Sequence, residues 1–182
     1  YASPGTGSVG GDYPKKFLAH HHLSYNINRS LNIGIYETVV IGDSLNSFEI
    51  GYLNPLIFYR ALEQQSGSND NVLLGADIKW NFVKHFSIYG QFLLDEFKLD
   101  EVQAGNGWWA NKYGAQCGIK YINAAGIKNL DAQVEFNISR PYTYSHGDIY
   151  TNYANYRMAL AHPLGANFNE WIGYILTEVS MI

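Results

Sequence analysis

The stretch LDAQVEFNIS (130–139) alternates without a break. Leu130, Ala132, Val134, Phe136 and Ile138 are apolar, whereas Asp131, Gln133, Glu135, Asn137 and Ser139 are polar. A period of two belongs to a β-strand, whose successive side chains face opposite ways; a helix would scatter the same residues around its circumference. The design recurs in VLLGADIKWNF (72–82), where Val72, Leu74, Ala76, Ile78, Trp80 and Phe82 oppose Leu73, Gly75, Asp77, Lys79 and Asn81. FSIYGQFLLDEF (86–97) sets Ile88, Gly90, Phe92 and Leu94 against Ser87, Tyr89, Gln91 and Asp95, and KYGAQCGIKY (112–121) sets Tyr113, Ala115, Cys117, Ile119 and Tyr121 against Gly114, Gln116, Gly118 and Lys120. Less regular strands are expected at 16–27, 31–41 and 167–179. In the second of these Glu37 falls in the register of Ile33 and Ile35, which predicts a bulge there or a different register. No segment reads as a long helix.

Strand length separates two fold classes. Strands of about 10 to 12 residues exceed the usual globular length of about 5 to 6, but suit a tilted bilayer crossing, which takes roughly 9 to 11. The connections alternate: short at 28–30, long at 42–71, short at 83–85, long at 98–111, short at 122–129 and long at 140–167. Such alternation is that of an up-and-down barrel with short turns on the periplasmic side and long loops outside. A soluble sandwich or lipocalin-like barrel also alternates, with its apolar face inward. Aromatic placement favours the membrane: Trp80, Phe82, Phe86, Phe97, Tyr113 and Tyr121 sit near strand ends on or beside the apolar face, where interfacial girdles form. The expected fold is therefore an all-β, antiparallel up-and-down transmembrane barrel. The tandem Trp108 and Trp109 within GNGWWANKYG then belong to the outer rim, one ring for the interface belt and one for the loop or its ligand.

Residues 1–182 read as a single domain. Seven strands is an odd number, whereas closed single-chain bacterial barrels are even. That count, the ending TEVSMI and the Gly/Ser-rich opening YASPGTGSVGGDY, which lacks the regions of a signal peptide, lead us to expect a portion of a larger barrel. The competing expectation is an eight-stranded barrel with a further strand in 48–60. A net charge of -4 and a pI near 5.8 provide no basic stripe for nucleic acid and no polybasic membrane patch. Cys117 is the only cysteine, which excludes a disulfide framework and a paired-cysteine metal or redox site.

Catalysis finds little support. Asp95 with Glu96, and Asp100 with Glu101, are adjacent carboxylates, and strand neighbours face apart, whereas a glycosidase needs both groups on one cleft. Ser145 and His146 lack a nucleophile-elbow motif. In the tract His20, His21 and His22 only the outer two share a strand face, with no third ligand in view, so no metal and no cofactor are expected.

NPLIFYR (54–60), LLDEFKLDEVQAGNGWWANKYGAQCGIKY (93–121) and RPYTYSHGDIYTNYANYRMALAHPLGANFNEW (140–171) resemble the capsule assembly Wzi family, in the Bacteroidetes branch that includes gliding motility proteins. The likeness runs from about Tyr13 to Trp171. It implies a bacterial outer-membrane barrel longer than this chain that holds capsular polysaccharide at the cell surface without catalysis, with outer-membrane lipid and surface polysaccharide as partners. The loops contain what sugar binding uses, namely aromatic faces for CH surfaces and planar amide or guanidinium groups for hydroxyls. Candidates are Tyr59 and Arg60; Asn106 with Trp108 and Trp109; Arg140 with Tyr142, Tyr144 and His146; and Asn152 with Tyr153. The alternative for each is girdle anchoring or loop packing.

The polar face carries Asp77, Lys79, Asp95, Lys120, Asp131 and Glu135. This suggests a porin-like channel as a second function, or cross-lumen ion pairs that rigidify the interior. A third is a scaffold for other outer-membrane or periplasmic proteins of a secretion or gliding apparatus.

Overall fold

The computed structural model describes residues 16–42, 71–96, 112–146, 151–155 and 158–177. Strands β1 (Lys16–Asn26), β2 (Leu31–Gly42), β3 (Asn71–Val83), β4 (Phe86–Glu96), β5 (Lys112–Tyr121), β6 (Leu130–Ser139) and β9 (Phe168–Thr177) form one seven-stranded sheet. Between β6 and β9 lies a two-stranded ribbon, β7 (Ala154–Asn155) with β8 (Met158–Ala159). All pairings are antiparallel and follow chain order, so the sheet is an up-and-down meander in which, among the described residues, β1 and β9 each pair with one strand only. Helix is confined, among the described residues, to one 3-10 turn at Ala124–Gly126.

The strand boundaries follow the alternation closely because a ladder ends where the two-residue pattern gives way to turn-forming residues. In the β1–β2 turn, Asn28 Oδ1 accepts from the backbone N–H of Ser30 at 2.8 Å and of Leu31 at 2.9 Å, which closes the hairpin. In the β5–β6 turn, Asn123 adopts a left-handed conformation at φ 51, Asp131 Oδ1 accepts its N–H at 3.0 Å, and Asn123 Oδ1 accepts from Asn129 N–H at 2.8 Å.

The register carries the apolar positions across the sheet in rows. One row runs Ile33, Ile78, Gly90, Cys117, Phe136 and Trp171; the next runs Leu31, Trp80, Ile88, Ile119, Val134 and Gly173. The expected bulge at Glu37 is absent. Glu37 pairs in continuous register with His21 on one side and Leu74 on the other, so it stays on the apolar face, where it is buried. The ladder's backbone bonds on both sides hold a single register regardless of which side chain occupies one position.

At the short-turn end, ring contacts link Trp80 to Phe82 at 5.4 Å, Phe82 to Phe86 at 6.1 Å, and Phe86 to Tyr121 in a stack at 4.3 Å. Four of the expected girdle residues thus form one aromatic belt. Tyr113 lies toward the other end, 5.8 Å from Phe92, and Phe97 is outside the described residues.

The core concentrates at the long-loop end. Val39, Ile41 and Val72 cluster with Phe17 and Ala19 on the apolar side. On the opposite side Val40, Leu73 and Leu93 pack against Tyr144. The histidine pair His20 and His22 shares the polar face, as a period of two requires.

Candidate functional site

The described residues of the segment between β6 and β9 fold back as a strap over the polar face. It leaves β6 at Arg140, whose N–H donates to Tyr113 O at 3.0 Å and whose guanidinium lies 5.7 Å above the Tyr113 ring. Tyr144 then inserts into the cluster of Val40, Leu73 and Leu93, and its N–H donates to Asp95 Oδ2 at 2.7 Å. Lys112 Nζ donates to Ser145 O at 2.6 Å, and Lys16 Nζ donates to Asn152 O at 2.8 Å and Ala154 O at 3.0 Å. A segment that starts beside β5 and β6 is therefore tied to β1, at the other edge of the sheet, and so crosses the polar face.

The strap is also cross-linked to itself. Tyr153 N–H donates to Tyr144 O at 2.9 Å, and His146 N–H donates to Asn152 Oδ1 at 2.6 Å. His146 Nδ1 pairs with Thr151 Oγ1 at 2.8 Å, while Ser145 Oγ donates to Tyr142 O. Burial pushes the hydroxyl pKa of Tyr144 above the ordinary tyrosine value, and burial likewise raises that of Tyr153 against the opposing effect of a hydrogen bond with Thr38.

Below the strap lies a cleft of about 570 Å³ whose floor is the polar face and whose roof is Tyr144, Tyr153 and Leu160–His162. The floor is knitted by side chains. Glu135 accepts from the phenol of Tyr89, from Asn137 Nδ2 at 2.9 Å and from Gln116 Nε2 at 3.1 Å, and Gln133 Nε2 donates to the same phenol oxygen at 2.6 Å. Gln91 Nε2 donates to Tyr36 OH at 2.9 Å. His22 Nε2 lies 2.8 Å from Asp77 Oδ2, and His162 Nε2 lies 3.3 Å from Glu170 Oε2 with its ring stacked on Phe168.

Among the described residues Glu135 is held by neutral donors, Asp95 by a backbone N–H, Asp131 by the N–H of Asn123 and Asp77 by a histidine. Lys120 Nζ sits 5.5 Å from the centre of the Tyr89 ring. Amide and phenol donors need less desolvation than an ammonium, which lowers the cost of holding Glu135 among them.

Two tyrosines of this floor lie on glycines. Tyr36 pairs across the ladder with Gly75, and a Cβ there would stand 2.0 Å from the ring; Tyr89 pairs with Gly118, with the equivalent distance 2.3 Å. Each ring covers a backbone stretch that no side chain shields.

Of the ligand candidates expected from sequence, the strap brings together Tyr144, His146, Asn152 and Tyr153, with Tyr144 and Tyr153 facing the sheet. Arg140 marks the end of β6, and Tyr142 is exposed. Tyr59, Arg60, Asn106, Trp108 and Trp109 lie outside the described residues. Sequence reasoning missed Tyr36, Gln91, Gln116, His162 and Phe168 as lining of a shared cleft. A signal was present: Tyr36 and Tyr89 are bulky rings among the polar-face residues, each opposite a glycine. His20 Nδ1 bonds to Thr38 Oγ1 at 2.7 Å, and no cluster of three or more potential metal-ligating His, Cys, Asp or Glu side chains occurs among the described residues. Comparison with family models, with curated proteins and with solved structures returned no match.

Proposed function

We propose that this chain is part of a transmembrane β-barrel of a bacterial outer membrane that binds or organises surface polysaccharide without catalysis. One observation carries the membrane reading: outside the buried cluster at the long-loop end, the apolar face of each long strand carries exposed large side chains. Leu23 is 68% exposed, Ile35 52%, Trp171 73% and Ile175 79%. A soluble sandwich covers such a face with a second layer, and a contiguous bare patch of this kind is a contact surface for something apolar. The dimensions suit lipid. From Leu74 to Val83, at about 3.3 Å per residue and a tilt of about 40°, β3 rises roughly 23 Å, close to the roughly 25 Å height of an outer-membrane apolar band. The Trp80, Phe82, Phe86 and Tyr121 belt then occupies the interface at the short-turn end.

The polysaccharide part rests on the sequence resemblance described above and on the chemistry of the strap and cleft, where aromatic rings alternate with amides. The strap across the polar face supports a binding barrel over an open channel.

Cys117 provides a direct test, because it is free and exposed on the apolar face. In outer-membrane vesicles it is expected to resist a charged thiol reagent and to react once detergent and heat unfold the barrel. Rapid labelling in intact vesicles would end the membrane reading. Heat-modifiable gel mobility, a glycan array on the detergent-purified protein and planar-bilayer recording complete the test. A steady conductance without glycan binding would replace this reading by a transport channel.

A further inference from the structure

The short-turn end of the sheet presents unengaged cations beside exposed aliphatic side chains, and we infer that this rim docks on the head groups of anionic phospholipid. The inference rests on the membrane reading and adds to it a lipid class and a place. The described lysines and arginines sort by position. Toward the long-loop end, Lys16 and Lys112 donate to strap carbonyls, and Arg140 lies over the Tyr113 ring. Lys79 and Lys120 belong to the polar face, where Lys79 pairs with Tyr89 and Lys120 with Ser87. Arg29, Lys84 and Lys128 are exposed, and among the described residues they form no ion pair and no side-chain hydrogen bond.

Each of these three stands in a different short connection. The connections 27–30, 84–85 and 122–129 contain one full cation apiece and no carboxylate. The carboxylate nearest to any of them in sequence, Asp131, is already committed to the N–H of Asn123. A net charge of -4 conceals the arrangement, because the three cations are distant in sequence and only the meander, which sends alternate turns to one end, lines them up. Adjacent hairpins set them about 10 Å apart across the strands, two strand spacings.

The apolar neighbours distinguish this rim from a merely solvated edge. Ile27, Val83, Ile122 and Ile127 are exposed in or beside the same turns, at the end of the sheet that carries the belt of Trp80, Phe82, Phe86 and Tyr121. A turn surrounded by water gains nothing from a branched aliphatic side chain. At a bilayer boundary that side chain enters the acyl region, while the neighbouring ammonium or guanidinium reaches back to a phosphate. Anionic lipid adds a net field that attracts such cations, which zwitterionic lipid lacks.

The test follows urea unfolding of the full-length protein from two kinds of vesicle, pure phosphatidylcholine and phosphatidylcholine in which about one lipid in three is phosphatidylglycerol. Expected is a larger folding constant in the phosphatidylglycerol vesicles, and about a fivefold loss of that advantage for each of Arg29→Gln, Lys84→Gln and Lys128→Gln. Arg29→Lys and Lys84→Arg, which keep the charge, should retain it, and salt at about 0.5 M should screen it. Heat-modifiable mobility establishes that each variant is folded; where one is not, the corresponding methionine variant, such as Lys84→Met, replaces it. Wild-type protein that folds equally well in both vesicles would overturn the inference alone, as would an advantage that all three glutamine variants retain. Losses of equal size in both vesicles would give the turn cations a structural role and overturn it as well. Failure of the protein to insert into either vesicle would overturn the inference together with the membrane reading.

Discussion

At Gly75 a single methyl group has nowhere to go: the Cβ of an alanine would stand 2.0 Å from the Tyr36 ring. Gly75→Ala is therefore expected to push the ring aside, break its hydrogen bond with Gln91 and cost about 1–3 kcal/mol, the range for overpacking. Urea unfolding in micelles checks this, and pairing the change with Tyr36→Ala should recover part of the loss, because the clash then disappears. At Glu135 the side chain accepts from Tyr89, Gln116 and Asn137. Glu135→Gln turns one acceptor oxygen into a donor facing donors, and a loss of about 1–3 kcal/mol is expected in the same assay. Glu37 illustrates where residue-level reading fails. A carboxylate among isoleucines suggests a shifted register, but pairing with both neighbouring strands sets the register, and one costly side chain does not outweigh two ladders of backbone bonds.

The elements divide into those that announce themselves and one that does not. The seven long strands were legible because each depends on a local rule, the two-residue period, that needs no knowledge of distant residues. The strap obeys no such rule. Its anchors are mostly backbone atoms, with the ammonium groups of Lys16 and Lys112 donating to its carbonyls and Asp95 accepting an N–H, and these partners lie far apart in sequence. Composition marked Tyr144, His146, Asn152 and Tyr153 as interesting without telling which way they face. The strap should also be the element that responds to alkali. Tyr144 and Tyr153 are neutral when docked, and burial raises both hydroxyl pKa values above the ordinary 10.0. Docking stability is then fully present below pH 10 and is lost as pH rises through the raised values, because the undocked phenols ionise first. Protease accessibility of the strap, followed alongside tyrosinate absorbance, should rise together in that range. Tyr144→Phe and Tyr153→Phe, which remove the ionisation, should flatten both curves.

At the scale of the molecule the two faces ask for different surroundings, and charge scanning distinguishes them. Val134 and Gln133 are neighbours on β6 facing opposite ways. On the membrane reading proposed above, Val134→Arg is expected to destabilise the protein in bilayers by up to about 2–4 kcal/mol, the cost of a cation on the lipid face, whereas Gln133→Arg should cost far less. Equal effects at the two positions, measured by folding into lipid vesicles, would argue that neither face meets lipid. The meander has a further consequence. Each strand pair turns tightly at one end, and every lengthy connection departs from the other, so new sequence can be added there without sliding any ladder. The strands and their long connections can therefore diverge at independent rates: the strands are constrained by register, while the connections are constrained only by what they must touch. Epitope tags placed in 43–70 or 97–111 should leave the fold intact and, on the proposed membrane reading, be displayed on the same side of the bilayer, whereas one residue inserted between Lys84 and His85 should disturb the hairpin that carries both β3 and β4.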